Sequence, residues 1–235
     1  MEFYKKFAQY YDDIFLVVQQ KVDFLAETFK DRKNLLDIGC ATGAYANALA
    51  DKGFCVEGID LSEAMIEIAK DNYQSDQSKL HFSTKDMMDL KSKNHYDGIY
   101  MIGNTLVHLS DEATVQACLK KIHDALTTRG RFVVQILNYH KILKQQITEL
   151  PLIEGTNAML KRTYEHYDSW LAFNTVLKTS SHTMHASTKL YPLEPSGLET
   201  LLKTVGFTIK SVTSGFHDTP FDPFTSFHLV IVAEK

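Results

Sequence analysis

The run Leu35-Leu36-Asp37-Ile38-Gly39-Cys40-Ala41-Thr42-Gly43 constrains this chain more than any other segment. An apolar stretch carrying one acid stops at a pair of glycines, and the helical pattern Ala44-Tyr45-Ala46-Asn47-Ala48-Leu49-Ala50 begins at once. Strand, tight turn and helix in this order form the unit that builds nucleotide sites at the carboxyl ends of parallel strands. Glycine suits positions where the backbone takes positive φ or approaches a ligand closely, so the pair is expected to line a cofactor pocket. The dinucleotide fingerprint G-x-G-x-x-G matches poorly, because Ala41 stands in its middle position and Ala46 in its last. A P-loop is excluded, since no Gly-Lys-Ser or Gly-Lys-Thr follows. Taken alone, the motif could still be a structural turn with no ligand.

Later strand ends add suitable groups. Phe54 to Asp60 reads as a second strand ending in an acid. A carboxylate there can accept hydrogen bonds from both hydroxyls of a ribose and disfavours a 2′-phosphate, although Asp60 could equally cap the helix after Leu61-Ser62. A third strand, Leu80 to Thr84, runs into Lys85-Asp86-Met87, and a fourth, Tyr96 to Ile102, ends in Gly103-Asn104-Thr105-Leu106-Val107-His108. The fifth spans Gly130 to Leu137, preceded by a helical pattern that Asp111 should cap. This alternation from Asn34 to Asn138 gives βαβ units and a mostly parallel sheet. A helix from Ser196 ends near Gly206, and strands at about 208–215 and 226–233 suggest an antiparallel hairpin closing the sheet.

Between Tyr139 and Tyr191 the pattern changes. Polar residues alternate with apolar or aromatic ones in Lys161–Tyr167, Leu171–Leu177 and Ser181–Tyr191, which predicts three antiparallel strands inserted after the fifth. An insertion over the carboxyl edge of the sheet would cover the substrate side. At the N-terminus, Phe3-Tyr4-Lys5-Lys6-Phe7-Ala8-Gln9-Tyr10-Tyr11-Asp12 carries aromatics at helical spacing.

The segment LLDIGCATG resembles the first motif of the class I S-adenosylmethionine-dependent methyltransferases, and VEGIDLSEAMIEIA resembles its continuation. The resemblance covers about Asn34 to Asn138. It implies an α/β fold with a seven-stranded, mostly parallel Rossmann-like sheet and an antiparallel β insertion after strand five. Residues 1–235 would form one methyltransferase domain, with an N-terminal helical lid at 1–30 and a substrate cap at 139–191. S-adenosylmethionine would be the cofactor and S-adenosylhomocysteine its product. The turn residues Gly39, Cys40, Ala41 and Gly43 would lie against the cofactor's methionine end, with Tyr11 near it or the reacting methyl, and Asp37 and Ile102 would also bind the cofactor. Asp60 would bind the ribose, Leu61 and Met65 would border the adenine, and Asp86 with the Met87 amide would meet the ring.

GNTLVHL, NYHKIL and KLYPLEPSGLETLLKTVGF resemble short segments of the glycine and sarcosine N-methyltransferase group. The position matching Asn104 there contacts an amino-acid substrate, so Asn104, Asn138, Arg162 and Tyr191 form the expected substrate set. Arg162 either replaces that group's carboxylate-binding arginine or is a surface residue. His108 is a candidate base or an ordinary packing histidine, and Tyr11 either touches the cofactor or packs on the core. With Asn104, these are the catalytic candidates.

The chain has 235 residues, 44% of them hydrophobic, enough for a full core without disulfide or metal staples. With 25 basic and 29 acidic residues the net charge is −4, and no basic run points to nucleic acid. Cys40, Cys55 and Cys118 are dispersed and expected to be reduced core thiols. The histidines near the insertion include His182 and His185, whose spacing on a strand would turn them to opposite sides, so no metal is expected. No apolar run reaches the length of a membrane span, and no signal-peptide core is present. The expected protein is soluble and cytoplasmic, methylating a small molecule through nitrogen or oxygen. An NAD-dependent oxidoreductase and a non-catalytic S-adenosylmethionine-binding regulator are the rival readings.

Overall fold

Five strands of the first half run parallel: β1 (Asn34–Ile38), β2 (Cys55–Asp60), β3 (Leu80–Thr84), β4 (Tyr96–Met101) and β5 (Leu126–Leu137). The computed structural model describes residues 7–73 and 79–235. Helices α1 (Tyr11–Ile14) and α2 (Gln19–Thr28) precede β1, while Phe3 to Lys6 of the expected aromatic helix lie outside the described residues. Between the strands run α3 (Ala44–Asp51), α4 (Glu63–Tyr73) and α5 (Glu112–Ala125). Asp111 caps α5 through a 2.8 Å bond from the Thr114 amide.

After β5 come the short helix α6 (Tyr139–Lys144) and four strands, β6 (Glu149–Glu154), β7 (Ala158–His166), β8 (Leu171–Thr179) and β9 (Thr183–Leu190). They form a separate antiparallel sheet in sequence order. The expectation of three strands is therefore corrected to four. Pro151 interrupts the alternating pattern of β6, and proline is tolerated only where no ladder donor is needed. β6 is the edge strand, and its register slips between Leu150 and Ile153.

Helix α7 (Pro195–Thr204) leads into β10 (Thr208–Thr213) and β11 (His228–Glu234). The main sheet has the order β10-β11-β5-β4-β1-β2-β3, with β11 antiparallel to both neighbours. β1 lies between β4 and β2, so the winding reverses at its carboxyl end, where open α/β sheets form their ligand crevice.

Adjacent residues on each central strand go to opposite faces. Leu36, Ile99 and Phe132 join one core with α5 and α7, whereas Leu35, Tyr100 and Val133 join another with α2, α3 and α4. A third cluster unites Phe7, Ala8 and Ile14 with Ala41 of the turn, Met65 of α4, and Ala158, Leu160 and Leu177 of the second sheet. Hydrophobic contact therefore ties the N-terminus and the insertion to the glycine turn. Among the described residues, no helix is long and apolar enough to cross a membrane.

Candidate active site

The turn after β1 is left-handed at three positions, Gly39 (φ 76°), Ala41 (φ 48°) and Gly43 (φ 81°). The Gly39 and Cys40 amides both donate to the Ile59 carbonyl, at 2.8 and 3.0 Å, which binds the turn to the end of β2. A side chain on Gly39 would put its Cβ 2.6 Å from Thr105, and one on Gly43 would collide with the Phe82 ring. Backbone conformation and close protein packing thus both demand these glycines. Ala41 has no such freedom, and an L-residue in this region costs roughly 1–2 kcal/mol. Its amide is held by Asp60 Oδ2 at 2.9 Å, which offsets that cost.

Asp60 also accepts the Ser62 amide through Oδ1 at 2.8 Å. Burial pushes its pKa up, while the amides of Ser62, Ala41 and Leu61 pull it down. Asp37 is only 3% exposed, and burial pushes its carboxyl up to about 8, with the Tyr100 hydroxyl opposing and Asp60 adding to the rise. Burial likewise raises the Tyr11 hydroxyl, reinforced by the charges of Asp60, Asp12 and Asp37. Three residues far apart in sequence therefore converge at the turn.

Beyond Asp60 a cleft of about 680 Å³ opens at the ends of β2 and β3, lined among others by Leu61, Lys85, Asp86 and Lys91. Leu61 is 72% exposed there. Asp86 accepts the Met88 amide through Oδ1 at 2.8 Å and opens a short 3₁₀ turn, Met87–Asp89. Exposed apolar surface beside a carboxylate suits a flat heterocycle bearing an amine, and Asp60 suits paired hydroxyls. These donors and acceptors fit the adenosine half of S-adenosylmethionine. Met65 and Ile102 are buried, Met65 in the cluster that contains Ala41 and Ile102 in the one that contains Cys40. Cys40 is buried in the turn, and burial raises its thiol pKa, so it is no activated nucleophile.

At the ends of β4 and β5 the amides are engaged internally. Asn104 is left-handed (φ 71°), donates to the Tyr139 hydroxyl at 2.8 Å and accepts the Leu137 amide at 3.0 Å. Asn138 is fully buried, donates to the Pro223 and Ser226 carbonyls and caps α6. Arg162 lies on β7 and donates from Nη2 to the Pro151 carbonyl at 2.8 Å. Tyr191 follows β9 and bonds through its amide to the Val107 carbonyl at 2.9 Å. His108 ends the 3₁₀ turn Thr105–His108, and desolvation of its ring lowers its pKa.

Asp12 and Asp13 are the residues that sequence reasoning missed. The Thr42 hydroxyl donates to Asp12, joining α1 to the glycine turn. Asp13 accepts the amides of Thr156 (2.8 Å), Asn157 (2.8 Å) and Ala158 (3.0 Å) in the β6–β7 hairpin. The doubled acid after Tyr10-Tyr11 was visible, but nothing local connects it to a hairpin so distant in sequence.

A switch point beside β1, a two-glycine turn answered by an acid on β2, and an antiparallel strand closing the sheet define a Rossmann-like methyltransferase fold. Residues 35–130 match the family model described as a methyltransferase domain. "Putative methyltransferase YqeM" of Bacillus subtilis is 26% identical over 228 residues, covering 92% of this chain and 91% of that protein. A Geobacillus relative also named as a methyltransferase is 28% identical, but the match spans only 59% of either chain. A solved S-adenosylmethionine-dependent methyltransferase from Clostridium acetobutylicum superposes with a TM-score of 0.85 over 98% of both chains, at 16% identity. These likenesses support a class I S-adenosylmethionine-dependent methyltransferase with S-adenosylmethionine as cofactor.

Proposed function

We propose that the protein methylates a nitrogen or oxygen of a small polar metabolite. One observation carries this reading: α1 and the β6–β7 hairpin meet over the glycine turn, joined through Asp12 and Asp13. Such an enclosure suits a small acceptor and a reaction that benefits from excluding water. Residues 1–235 then act as one domain, with 1–30 as lid and 139–191 as substrate cap.

The cofactor supplies a methyl group already activated on a positively charged sulfur, so alignment is the protein's main task. Asp60 would hold the ribose, and Leu61, Met65, Asp86 and the Met87 amide the adenine. Tyr11, Asp37, Gly39, Cys40, Ala41, Gly43 and Ile102 would enclose the methionine end. Asn104 would present a fixed polar edge to the acceptor, because Tyr139 and Leu137 restrain its amide. Asn138 would support that edge from within the fold, while Arg162 and Tyr191 would contribute from the cap side. His108 would accept a proton from an acceptor that arrives protonated, since its lowered pKa keeps the ring neutral near pH 7. Glycine and sarcosine are the first acceptors to assay. The three free thiols accord with a reducing, cytoplasmic setting.

The test is incubation with methyl-labelled S-adenosylmethionine and a small-molecule extract. Label is expected in a low-molecular-weight product, and much less of it with Asp60→Ala. A protein that binds the cofactor but labels nothing would be a binder without turnover.

A further inference from the structure

We propose that Thr175 is a specificity-determining residue of the acceptor site, its hydroxyl bonding a hydroxyl, carbonyl or amine group of an acceptor seated between two apolar walls. This rests on the methyltransferase reading of the same site and names part of its substrate chemistry.

Strand register fixes the surroundings of Thr175. Leu160, Arg162 and Tyr164 of β7 stand opposite Leu177, Thr175 and Phe173 of β8. Those three residues of β8 stand in turn opposite Met184, Ala186 and Thr188 of β9. Residues directly opposite share a face of the sheet, as do residues two apart along one strand. One face therefore carries three successive rows. The first, Leu160, Leu177 and Met184, packs in the cluster that holds Ala41 of the glycine turn. The third brings Tyr164 and Phe173 into the cluster that holds Leu137 and Tyr139, and the Tyr139 hydroxyl accepts the Asn104 side-chain amide. The middle row, Arg162, Thr175 and Ala186, belongs to none of the three apolar clusters. Its flanking rows are about 13 Å apart, four residues at roughly 3.3 Å each. Apolar contact is thus interrupted between the turn proposed to hold the methionine end and the support of Asn104.

Within that row Thr175 is the uncommitted group. Arg162 is anchored, donating from Nη2 to the Pro151 carbonyl at 2.8 Å. Thr175 is only 9% exposed, and its hydroxyl makes no hydrogen bond among the described residues. The oxygen is not one of the sealed polar atoms that lack a partner, so it borders open space. A hydroxyl withdrawn from bulk water without a partner is unfavourable, whereas valine would fill the same volume without that penalty. A ligand that supplies the missing hydrogen bond removes it. Because a hydroxyl both donates and accepts, it suits either kind of polar group, while Leu160, Leu177 and Phe173 offer surface to the carbons on each side.

The test replaces Thr175 in the full-length protein by cysteine and by valine. With S-adenosylhomocysteine bound, the thiol of Thr175→Cys should react with methyl methanethiosulfonate, read by mass spectrometry against the natural thiols of the parent protein. A small-molecule extract should slow that reaction several-fold. Thr175→Val should raise several-fold the extract concentration that gives half-maximal methyl labelling, with S-adenosylhomocysteine affinity unchanged. Ser187→Ala, exposed on the opposite face, should alter neither quantity. A thiol that does not react, or that reacts equally fast with and without extract, would overturn the proposal. So would a Thr175→Val protein that labels the extract as the parent does. Protection by the extract without S-adenosylhomocysteine binding or methyl transfer would leave the polar row standing and remove the methyltransferase reading.

Discussion

Asp37 sits at the end of β1 with its carboxyl almost sealed from water, and burial lifts its pKa from 3.8 to about 8. The native state therefore holds a proton that the unfolded chain releases at lower pH. Stability linked to this group is complete below about pH 4 and is lost progressively as pH rises toward about 8. Asp37→Asn should flatten that decline, which urea midpoints at pH 5 and pH 8 would reveal. Parallel profiles for the two proteins would refute the linkage. The glycines offer a second comparison at this scale. Gly43 and Gly103 both have φ near +80°, but only Gly43 has Phe82 packed where a Cβ would go. Alanine at either position should cost roughly 1–2 kcal/mol of backbone strain. Gly43→Ala should cost a further 1–3 kcal/mol, roughly, for overpacking. Equal losses in denaturant unfolding would show that the Phe82 contact yields freely.

Elements were legible where their signals were local. β1 to β4 were readable because apolar runs ended at glycines or acids, and the observed bounds differ from the expected ones by at most a residue. β5 begins at Leu126, earlier than the expected Gly130, because Thr127 to Gly130 reads as a turn and Arg129 is left-handed (φ 62°) within the strand. β6 stayed hidden behind Pro151. Asp60 and Asp86 were legible as acids at strand ends, whereas the internal hydrogen bonds of Asn104 and Asn138 depend on Tyr139 and on the β10–β11 connection. The bridge built by α1 was unreadable, because Asp13 finds its three amides only once the second sheet has folded. That bridge predicts coupling between elements. Asp13→Ala should weaken S-adenosylhomocysteine binding several-fold and increase proteolytic cutting near the β6–β7 hairpin, with the main sheet's thermal transition little changed. Unaltered affinity and unaltered cutting would mean that α1 does not secure the cap.

Across the whole molecule, one parallel sheet supplies the turn and carboxylates, and a second, antiparallel sheet is joined to them through the N-terminal helix. The cleft at the ends of β2 and β3 sets the exposed Leu61 beside Asp86, Asp89, Lys85 and Lys91. The β1 turn and Asp60 are proposed to hold S-adenosylmethionine, and every other assignment depends on that contact. Equilibrium dialysis of the full-length protein with labelled S-adenosylmethionine measures it directly. Saturable one-to-one binding is expected, weakened about tenfold or more by Asp60→Ala, since hydrogen bonds to a charged group are each worth roughly 1.5–3 kcal/mol. No saturable binding, or binding indifferent to Asp60→Ala, would contradict it.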